Sequence, residues 1–240
     1  MSDKGDVFVS RPRDDEGTIS RFIAFLSKHM KELSEAQLSV LKEIYLGPRN
    51  PRTNERINAG MPIGAEAFGG GLRESQGEEP FEQYPFLWAF GKSFSALDFD
   101  FDKDMCALTE RLSPDLDAMD ADLSPFFSHG GKLLMFSTSG DGCVPPLEAR
   151  RYYESVCAAV GKEKTLEHAR YFLVPGQDHS VSLTRHGDVT VNEKHKMQRD
   201  ICVLSNWVEN GIVPASLTLA TERYGVRIEK TIFAYEMDKH

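Results

Sequence analysis

The chain has 240 residues and a formal net charge of −9, with 28 Lys and Arg against 37 Asp and Glu. Hydrophobic residues make up 40% of it, enough to bury a core, which excludes a wholly disordered or fibrous chain. The acidic balance disfavours nucleic acid as a partner, because phosphate binding needs concentrated Lys and Arg. No apolar run reaches the roughly 18 residues of a membrane span, so we predict no membrane segment. The first residues carry no signal-peptide pattern, and the sequence indicates no particular compartment.

Two amphipathic helices are predicted near the N-terminus, after a charged arm over residues 1–17. Thr18 is the predicted N-cap of the first helix. Its apolar residues at helical spacing are Ile19, Phe22, Ile23, Leu26 and Met30. Ser34 and Gln37 have the spacing of a capping box and begin the second helix, which Gly47 ends.

An irregular stretch over residues 49–83 precedes an aromatic-rich segment over residues 86–94. We expect these aromatic side chains in a core, with stacking on an aromatic ligand as the alternative. The alternating segment 97–102 predicts either a half-buried strand or an extended lead into a helix near residues 104–112. Its three aspartates have the spacing of a calcium loop, but Lys103 stands where that loop needs Gly, which favours a solvated face.

Strands and helices alternate in the second half of the chain. The apolar runs 132–137 and 170–174 predict two buried strands. Between them a helix runs to Val160, where Gly161 closes it, and a last helix is predicted over residues 196–209. The order strand, helix, strand, helix predicts an α/β fold with parallel strands and right-handed crossovers.

Two side chains with catalytic potential follow the two predicted strands. Asp141 comes directly after the first strand, and His179 comes directly after the second. Because the carboxyl ends of parallel strands meet at one edge of a sheet, we expect the two side chains to lie together. A carboxylate beside an imidazole can fix its tautomer, and the order Asp then His matches the later members of an α/β-hydrolase triad. A chance pairing of a loop Asp and a loop His is the alternative.

No nucleophile is evident from the sequence. A G-x-S-x-G motif occurs nowhere in the 240 residues, and Ser137 and Ser139 lack its flanking glycines. Cys143 could act with a histidine, but thiols are among the most often buried side chains, so we predict an inert structural thiol. The glycines at 69–71 lack the features of a phosphate loop, and no CxxC occurs. The sequence therefore predicts neither a cofactor nor a metal ion.

Six short motifs occur in order between Leu116 and Leu219. They are Asp122–Phe126, Gly130–Leu133, Gly140–Pro146, Tyr152–Tyr153, Val174–His179 and Trp207–Pro214. In this order they resemble the C-terminal half of the tannase and feruloyl esterase family. Upstream, residues 33–37 and 44–50 resemble the segment where the family's lid rejoins the chain.

The resemblance implies a fold and a function. Family members are serine esterases with an α/β-hydrolase core and an inserted lid, they act on esters of phenolic acids, and they are commonly exported. By resemblance, Asp141 is the triad acid and His179 is the triad base. The implied organisation is a lid-derived, helical and irregular segment with a polar arm over residues 1–112. A partial α/β-hydrolase sheet over residues 113–240 would follow it.

The sequence also departs from the family in two ways. The family's nucleophilic Ser lies well before the lid, so we expect this chain to be inactive alone and to need a nucleophile-bearing N-terminal half as partner. Ser180 stands after His179, where many members have a Cys that bridges to a Cys beside the nucleophile. The resemblance therefore implies that this bridge is missing. A non-catalytic remnant or binding protein of the same fold is the alternative function.

Overall fold

The structure is a computed structural model that describes residues 15–68, 84–175, 179, 189–190, 193–223 and 226–237. Its helices are α1 (Glu16–His29), α2 (Glu35–Leu46), α3 (Tyr84–Phe90), α4 (Lys103–Leu116), α5 (Ser124–Ser128), α6 (Pro146–Val160), α7 (Lys162–His168) and α8 (Glu193–Asn210). Its strands are β1 (Leu133–Thr138), β2 (Ala169–Val174), β3 (Val189–Thr190), β4 (Ser216–Arg223) and β5 (Val226–Phe233). None of these helices, over the residues described, has the length and apolar character needed to cross a bilayer.

The first two helices begin at side-chain caps. The Thr18 N–H donates to the Asp15 carboxylate at 2.8 Å, so Asp15 is the N-cap of α1 and the predicted cap at Thr18 is wrong. An Asp side chain accepts a hydrogen bond from the backbone N–H three residues ahead as readily as a Thr side chain does. The helix is therefore about one turn longer than predicted. The predicted arm loses its last residues to this turn, and residues 1–14 lie outside the described part. The capping box of Ser34 and Gln37 is confirmed.

Helices α1 and α2 share a small core with the segment that follows them. Its buried members are Ile19, Tyr45, Leu46, Met61 and Ala65. Gly60 lies against the α2 backbone so closely that a Cβ there would be 2.1 Å from the Tyr45 carbonyl oxygen. Only glycine permits this approach, which holds the irregular segment against the helix. The remainder of the predicted irregular stretch, residues 69–83, is not described.

The segment 97–102 is not a strand. A 3₁₀ turn covers Ala96–Asp98, and 87% of Leu97 is exposed. The Asp100 carboxylate accepts the N–H groups of Asp102 and Lys103, which favours a turn over an extended strand. Helix α4 then runs to Leu116, so the predicted division between residues 112 and 113 falls inside a helix.

The phenylalanines of α3 and of the segment that follows it form one cluster. The ring pairs in contact have centroids 4.5–6.5 Å apart, and they involve Phe86, Phe90, Phe94, Phe99 and Phe101. These rings pack on one another outside the buried core, since 41% of Phe101 is exposed and the other four rings are half-buried. The core interpretation is therefore not confirmed for these phenylalanines. Trp88 is different, because 63% of it is exposed beside Tyr84.

Strands β1 and β2 pair in parallel, with Leu133 opposite Ala169 and Thr138 opposite Val174, and α6 and α7 lie between them in the chain. The predicted α/β arrangement is confirmed here. Successive side chains point to opposite faces of the pair. One face packs against α6 in a core that includes Phe127, Tyr153, Val156, Cys157, Ala169 and Tyr171. The other face packs against the hairpin of β4 and β5 in a core that includes Phe172, Val174, Leu217 and Ile232.

The antiparallel sheet of β3, β4 and β5 was not predicted. Its signal was available, since apolar and polar residues alternate along much of residues 216–233. Helix α7 was missed as well, because it has seven residues and too few apolar positions to show a helical period.

Candidate active site

Asp141 lies in the loop between β1 and α6 and is held there by backbone hydrogen bonds. Its Oδ1 accepts the N–H groups of Cys143 at 2.9 Å and Val144 at 2.8 Å. Its own N–H donates to the Thr138 carbonyl oxygen at the end of β1. Only 6% of Asp141 is exposed. The loop therefore fixes one carboxylate oxygen and leaves Oδ2 for another partner.

That partner is His179, which follows β2. The His179 Nδ1 lies 3.0 Å from the Asp141 Oδ2. The two side chains differ in access, since 58% of the His179 side chain is exposed against 9% of the Asp141 side chain. The structure thus brings the two predicted site residues together at the carboxyl end of the parallel strands. Their catalytic roles stay a prediction.

The contact assigns a proton to one ring nitrogen. An ionised carboxylate can only accept hydrogen bonds, so the neutral imidazole donates through Nδ1–H to Asp141. Nε2 is then unprotonated and belongs to a ring that is largely exposed. Such a ring can take a proton from a hydroxyl group, and the carboxylate stabilises the imidazolium that forms.

A second polar contact lies beneath the Asp141 loop and was not found from the sequence. The Tyr171 hydroxyl lies 2.5 Å from the Ser137 Oγ and donates to the Pro146 carbonyl oxygen at 3.2 Å. Tyr171 is buried, and burial raises the pKa of its hydroxyl. The hydroxyl thereby ties β2 to the end of β1 and to the first residue of α6, on both sides of the loop. A tyrosine inside an apolar strand was the only available signal.

The residues weighed as nucleophiles are in different environments. The Ser137 hydroxyl is bound to Tyr171, and Ser139 is 1% exposed. Cys143 is exposed, so the expectation that burial explains this thiol is wrong. Its backbone N–H donates to the Asp141 carboxylate, so Cys143 lies in the loop that Asp141 organises. Its reactivity stays a prediction, and Ser180 lies outside the described residues.

The aspartates with calcium-loop spacing lie in the helical region, where Asp102 has other partners. Its carboxylate accepts from Arg52 Nε at 2.7 Å and from Asn50 Nδ2 at 2.8 Å. The hydrogen bond from Arg52 lowers the pKa of Asp102 to about 2, with Asn50 adding to the effect. Among the residues that the structure describes, no group of three or more His, Cys, Asp or Glu is arranged to hold a metal ion.

Comparisons with known proteins relate the chain to esterases. The family model for tannase and feruloyl esterase matches residues 87–233. An uncharacterized esterase of Xanthomonas campestris pv. campestris is 27% identical over 229 residues, which cover 78% of this chain and 39% of that esterase. A tannase of Aspergillus oryzae is 29% identical over 104 residues, which cover 40% of this chain and 17% of that tannase.

The same likeness is found among solved structures. The crystal structure of feruloyl esterase B from Aspergillus oryzae matches with a TM-score of 0.69 and 16% identity, over 85% of this chain and 42% of that chain. This likeness concerns the fold alone. The chain thus spans about two fifths of the Xanthomonas esterase and of the Aspergillus structure. Because the family model covers more than half of its residues, the chain belongs to the tannase and feruloyl esterase family, a family of carboxylic ester hydrolases.

Proposed function

We propose that the chain carries the acid and the base of a Ser-Asp-His ester hydrolase that acts on esters of phenolic acids. Asp141 is the acid and His179 is the base. The nucleophilic Ser comes from a part of the enzyme outside these 240 residues, which contain no G-x-S-x-G. The observation that carries the proposal is the 3.0 Å contact between His179 Nδ1 and Asp141 Oδ2.

The proposed reaction has two steps, each with a balanced proton transfer. In the first, Ser Oγ attacks the ester carbonyl carbon while His179 Nε2 takes the hydroxyl proton. The imidazolium then gives that proton to the alkoxide oxygen as the alcohol leaves. In the second, water attacks the acyl-enzyme, His179 takes the water proton and returns it to Ser Oγ. Asp141 keeps its charge throughout and stabilises the imidazolium in both steps.

The same proposal includes the organisation of the chain. The sheet of β1 and β2 is part of an α/β-hydrolase core, and the helical region before it derives from a lid. A contact between the two regions supports this arrangement. The Ala59 N–H donates to Glu148 Oε1 at 2.5 Å, and Glu148 lies in the first turn of α6, immediately after the Asp141 loop.

A second candidate function is a non-catalytic binding protein of the same fold. It is favoured by one observation, the absence of a G-x-S-x-G motif from the 240 residues. The two candidates differ in what happens when a nucleophile is supplied. A binding protein has no need of an accessible Nε2 and stays inactive, whereas a triad that lacks only its Ser becomes active.

Ester turnover tests the proposal. Methyl ferulate and methyl gallate are given to the chain alone, and then to the chain joined to the part of the Xanthomonas esterase that it does not match. We expect no hydrolysis above background from the chain alone and turnover from the joined protein. A joined protein that melts as one cooperative unit and hydrolyses neither ester would contradict the proposal. Robust turnover by the chain alone would point to another nucleophile, with Ser139, Ser180 and Cys143 the first to mutate.

A further inference from the structure

Glu148 lies in the first turn of α6, and one oxygen of its carboxylate has two donors. Oε1 accepts the Ala59 backbone N–H at 2.5 Å and Arg151 Nη1 at 2.5 Å. Arg151 is on the next turn of the same helix, whereas Ala59 belongs to the segment after α2, 89 residues earlier in the chain. Hydrogen bonds to an ionised acceptor are roughly twice as strong as those between neutral groups. Glu148 therefore joins the helical region to the sheet region.

The Ala59 backbone is itself fixed to α2. The Met61 N–H donates to the Ile44 carbonyl oxygen at 3.1 Å, and the residue between Ala59 and Met61 is the glycine that lies against the α2 backbone. Only 4% of Ala59 is exposed. Removing the acceptor of a buried N–H is costly, because water does not readily replace it. The contact with Glu148 therefore restrains both segments.

The chain between Asp141 and Glu148 is short and stiff. It contains Pro145 and Pro146, which are both buried and whose rings fix the backbone angle φ. The Glu148 N–H donates to the Pro145 carbonyl oxygen at 3.0 Å. Directly before the prolines, the Val144 N–H donates to Asp141 Oδ1. A shift of the first turn of α6 is therefore passed on to the Asp141 carboxylate.

A glutamate in the first turn of a helix also has an ordinary role. Its charge interacts favourably with the positive end of the helix dipole, and its ion pair with Arg151 three residues ahead supports the helix. Both effects depend on the charge of Glu148, which glutamine lacks. The contact with Ala59 depends on an acceptor oxygen, which glutamine keeps. The substitution Glu148→Gln therefore separates the two roles.

We propose that Glu148 is a positioning residue that holds the Asp141 loop in place through its contact with the Ala59 N–H. This role rests on the proposed function, in which Asp141 is the triad acid. Glu148 acts through the loop and is not itself a catalytic residue. The placement of the carboxylate that orients His179 then depends on the helical region.

Hydrogen exchange in the 240-residue chain tests this role. The amides of Cys143 and Val144 donate to Asp141 Oδ1 and report the state of the loop. In Glu148→Ala we expect both amides to exchange about tenfold faster than in the parent chain. The reason is that the Ala59 N–H loses its acceptor, so the loop opens more often.

Two further variants are matched controls. Glu148→Gln keeps the acceptor oxygen, and Arg151→Ala removes only the ion pair, so both should exchange as the parent does. The Tyr235 N–H donates to the Tyr171 carbonyl oxygen at 2.8 Å and reports the stability of the sheet region. Its exchange should change less than about twofold in every variant.

Each outcome decides the role of Glu148. Parent-like exchange of the two loop amides in Glu148→Ala would overturn it. Faster exchange in Glu148→Gln or in Arg151→Ala, equal to that in Glu148→Ala, would overturn it too, because the charge would then hold the loop. Equal acceleration at Tyr235, or a Glu148→Ala chain that does not fold, would mean a general loss of stability and would also overturn it.

The His179 ring, observed by NMR on the same samples, separates this role from the proposed function. In Glu148→Ala we expect part of the neutral ring to carry its proton on Nε2, because Asp141 no longer accepts from Nδ1 in every molecule. A parent ring protonated at Nε2 would contradict the proposed function, while exchange of the loop amides would still decide the role of Glu148. A parent ring protonated at Nδ1, with unchanged exchange in Glu148→Ala, would contradict the positioning role alone.

Discussion

Two aspartates have the same side chain but different partners. One lies in the helical region and the other lies in the sheet region. Asp102 binds Arg52 and Asn50 at the surface and joins two loops that lie 50 residues apart in the chain. Asp141 binds two backbone N–H groups with one oxygen and an imidazole with the other. A guanidinium stays charged at every relevant pH, whereas an imidazole gains and loses a proton near neutrality. The two carboxylates are chemically the same. The structural contact and the candidate catalytic contact therefore differ in the partner that the carboxylate binds.

The largest expected effect concerns the pair in the sheet region. In the joined, active protein, His179→Ala and Asp141→Asn should each lower kcat by about 10⁴-fold, since one removes the base and the other favours the wrong tautomer. The matched controls are His129→Ala and Asp102→Asn, which change the same residue types away from the site and should alter kcat less than about twofold. Equal losses in the controls and the site variants would remove the distinction between the two aspartates.

A buried side chain of the sheet region and an exposed side chain of the helical region should also respond unequally to truncation. Phe172 is fully buried between the parallel strands and the hairpin, so Phe172→Ala should lower the free energy of unfolding by about 3–5 kcal/mol. Leu97 in the helical region is 87% exposed, so Leu97→Ala should stay within about 0.5 kcal/mol of the parent. Urea unfolding of both variants measures the difference. A small effect at Phe172 would mean that the sheet region is loosely packed.

The Tyr171 hydroxyl should affect the site through the loop. Tyr171→Phe leaves Ser137 Oγ and the Pro146 carbonyl without their shared partner, which should cost about 1–3 kcal/mol of stability. If the hydroxyl positions the Asp141 loop, kcat of the joined protein should fall severalfold while KM stays unchanged. Tyr153→Phe is the control, because Tyr153 donates to the Ala169 carbonyl oxygen away from this loop. Equal kcat losses in both variants would indicate a general effect of stability.

The smallest expected effect is the pH dependence that Asp102 contributes. Its pKa is lowered to about 2 in the folded chain, chiefly by the hydrogen bond from Arg52, against about 3.9 for an unperturbed Asp. Its contribution to stability is therefore present above about pH 4 and is lost as the pH falls towards 2. Asp102→Asn should flatten the decline of Tm across that window. A decline identical to that of the parent would show that other groups control acid unfolding.

The sequence predicted the elements whose signals are local. The capping box of Ser34, the two apolar strands and the closing Gly161 each depend on a few adjacent residues, and the structure has all of them. The meeting of Asp141 and His179 followed from a rule about parallel strands rather than from their spacing in the chain.

The failures share a different cause. At residues 97–102 the alternation of apolar and acidic residues is outweighed by the hydrogen bonds that Asp100 makes to the backbone. The contact of Tyr171 with Ser137 and Pro146 depends on three separate segments, and no local pattern encodes it. The exposure of Cys143 depends on the loop that Asp141 organises, so the general tendency of thiols to be buried does not apply.

The tautomer of His179 tests the central claim most directly, and it is measured on the chain alone. A two-bond ¹H–¹⁵N correlation spectrum of histidine-labelled protein, assigned with His179→Ala, reports which ring nitrogen carries the proton. We expect the neutral ring to be protonated at Nδ1, because the Asp141 carboxylate can only accept. In Asp141→Asn, whose amide can donate to Nδ1, the proton should move to Nε2. Protonation at Nε2 in the parent chain, or an unchanged spectrum in Asp141→Asn, would contradict the pairing on which the proposed function rests.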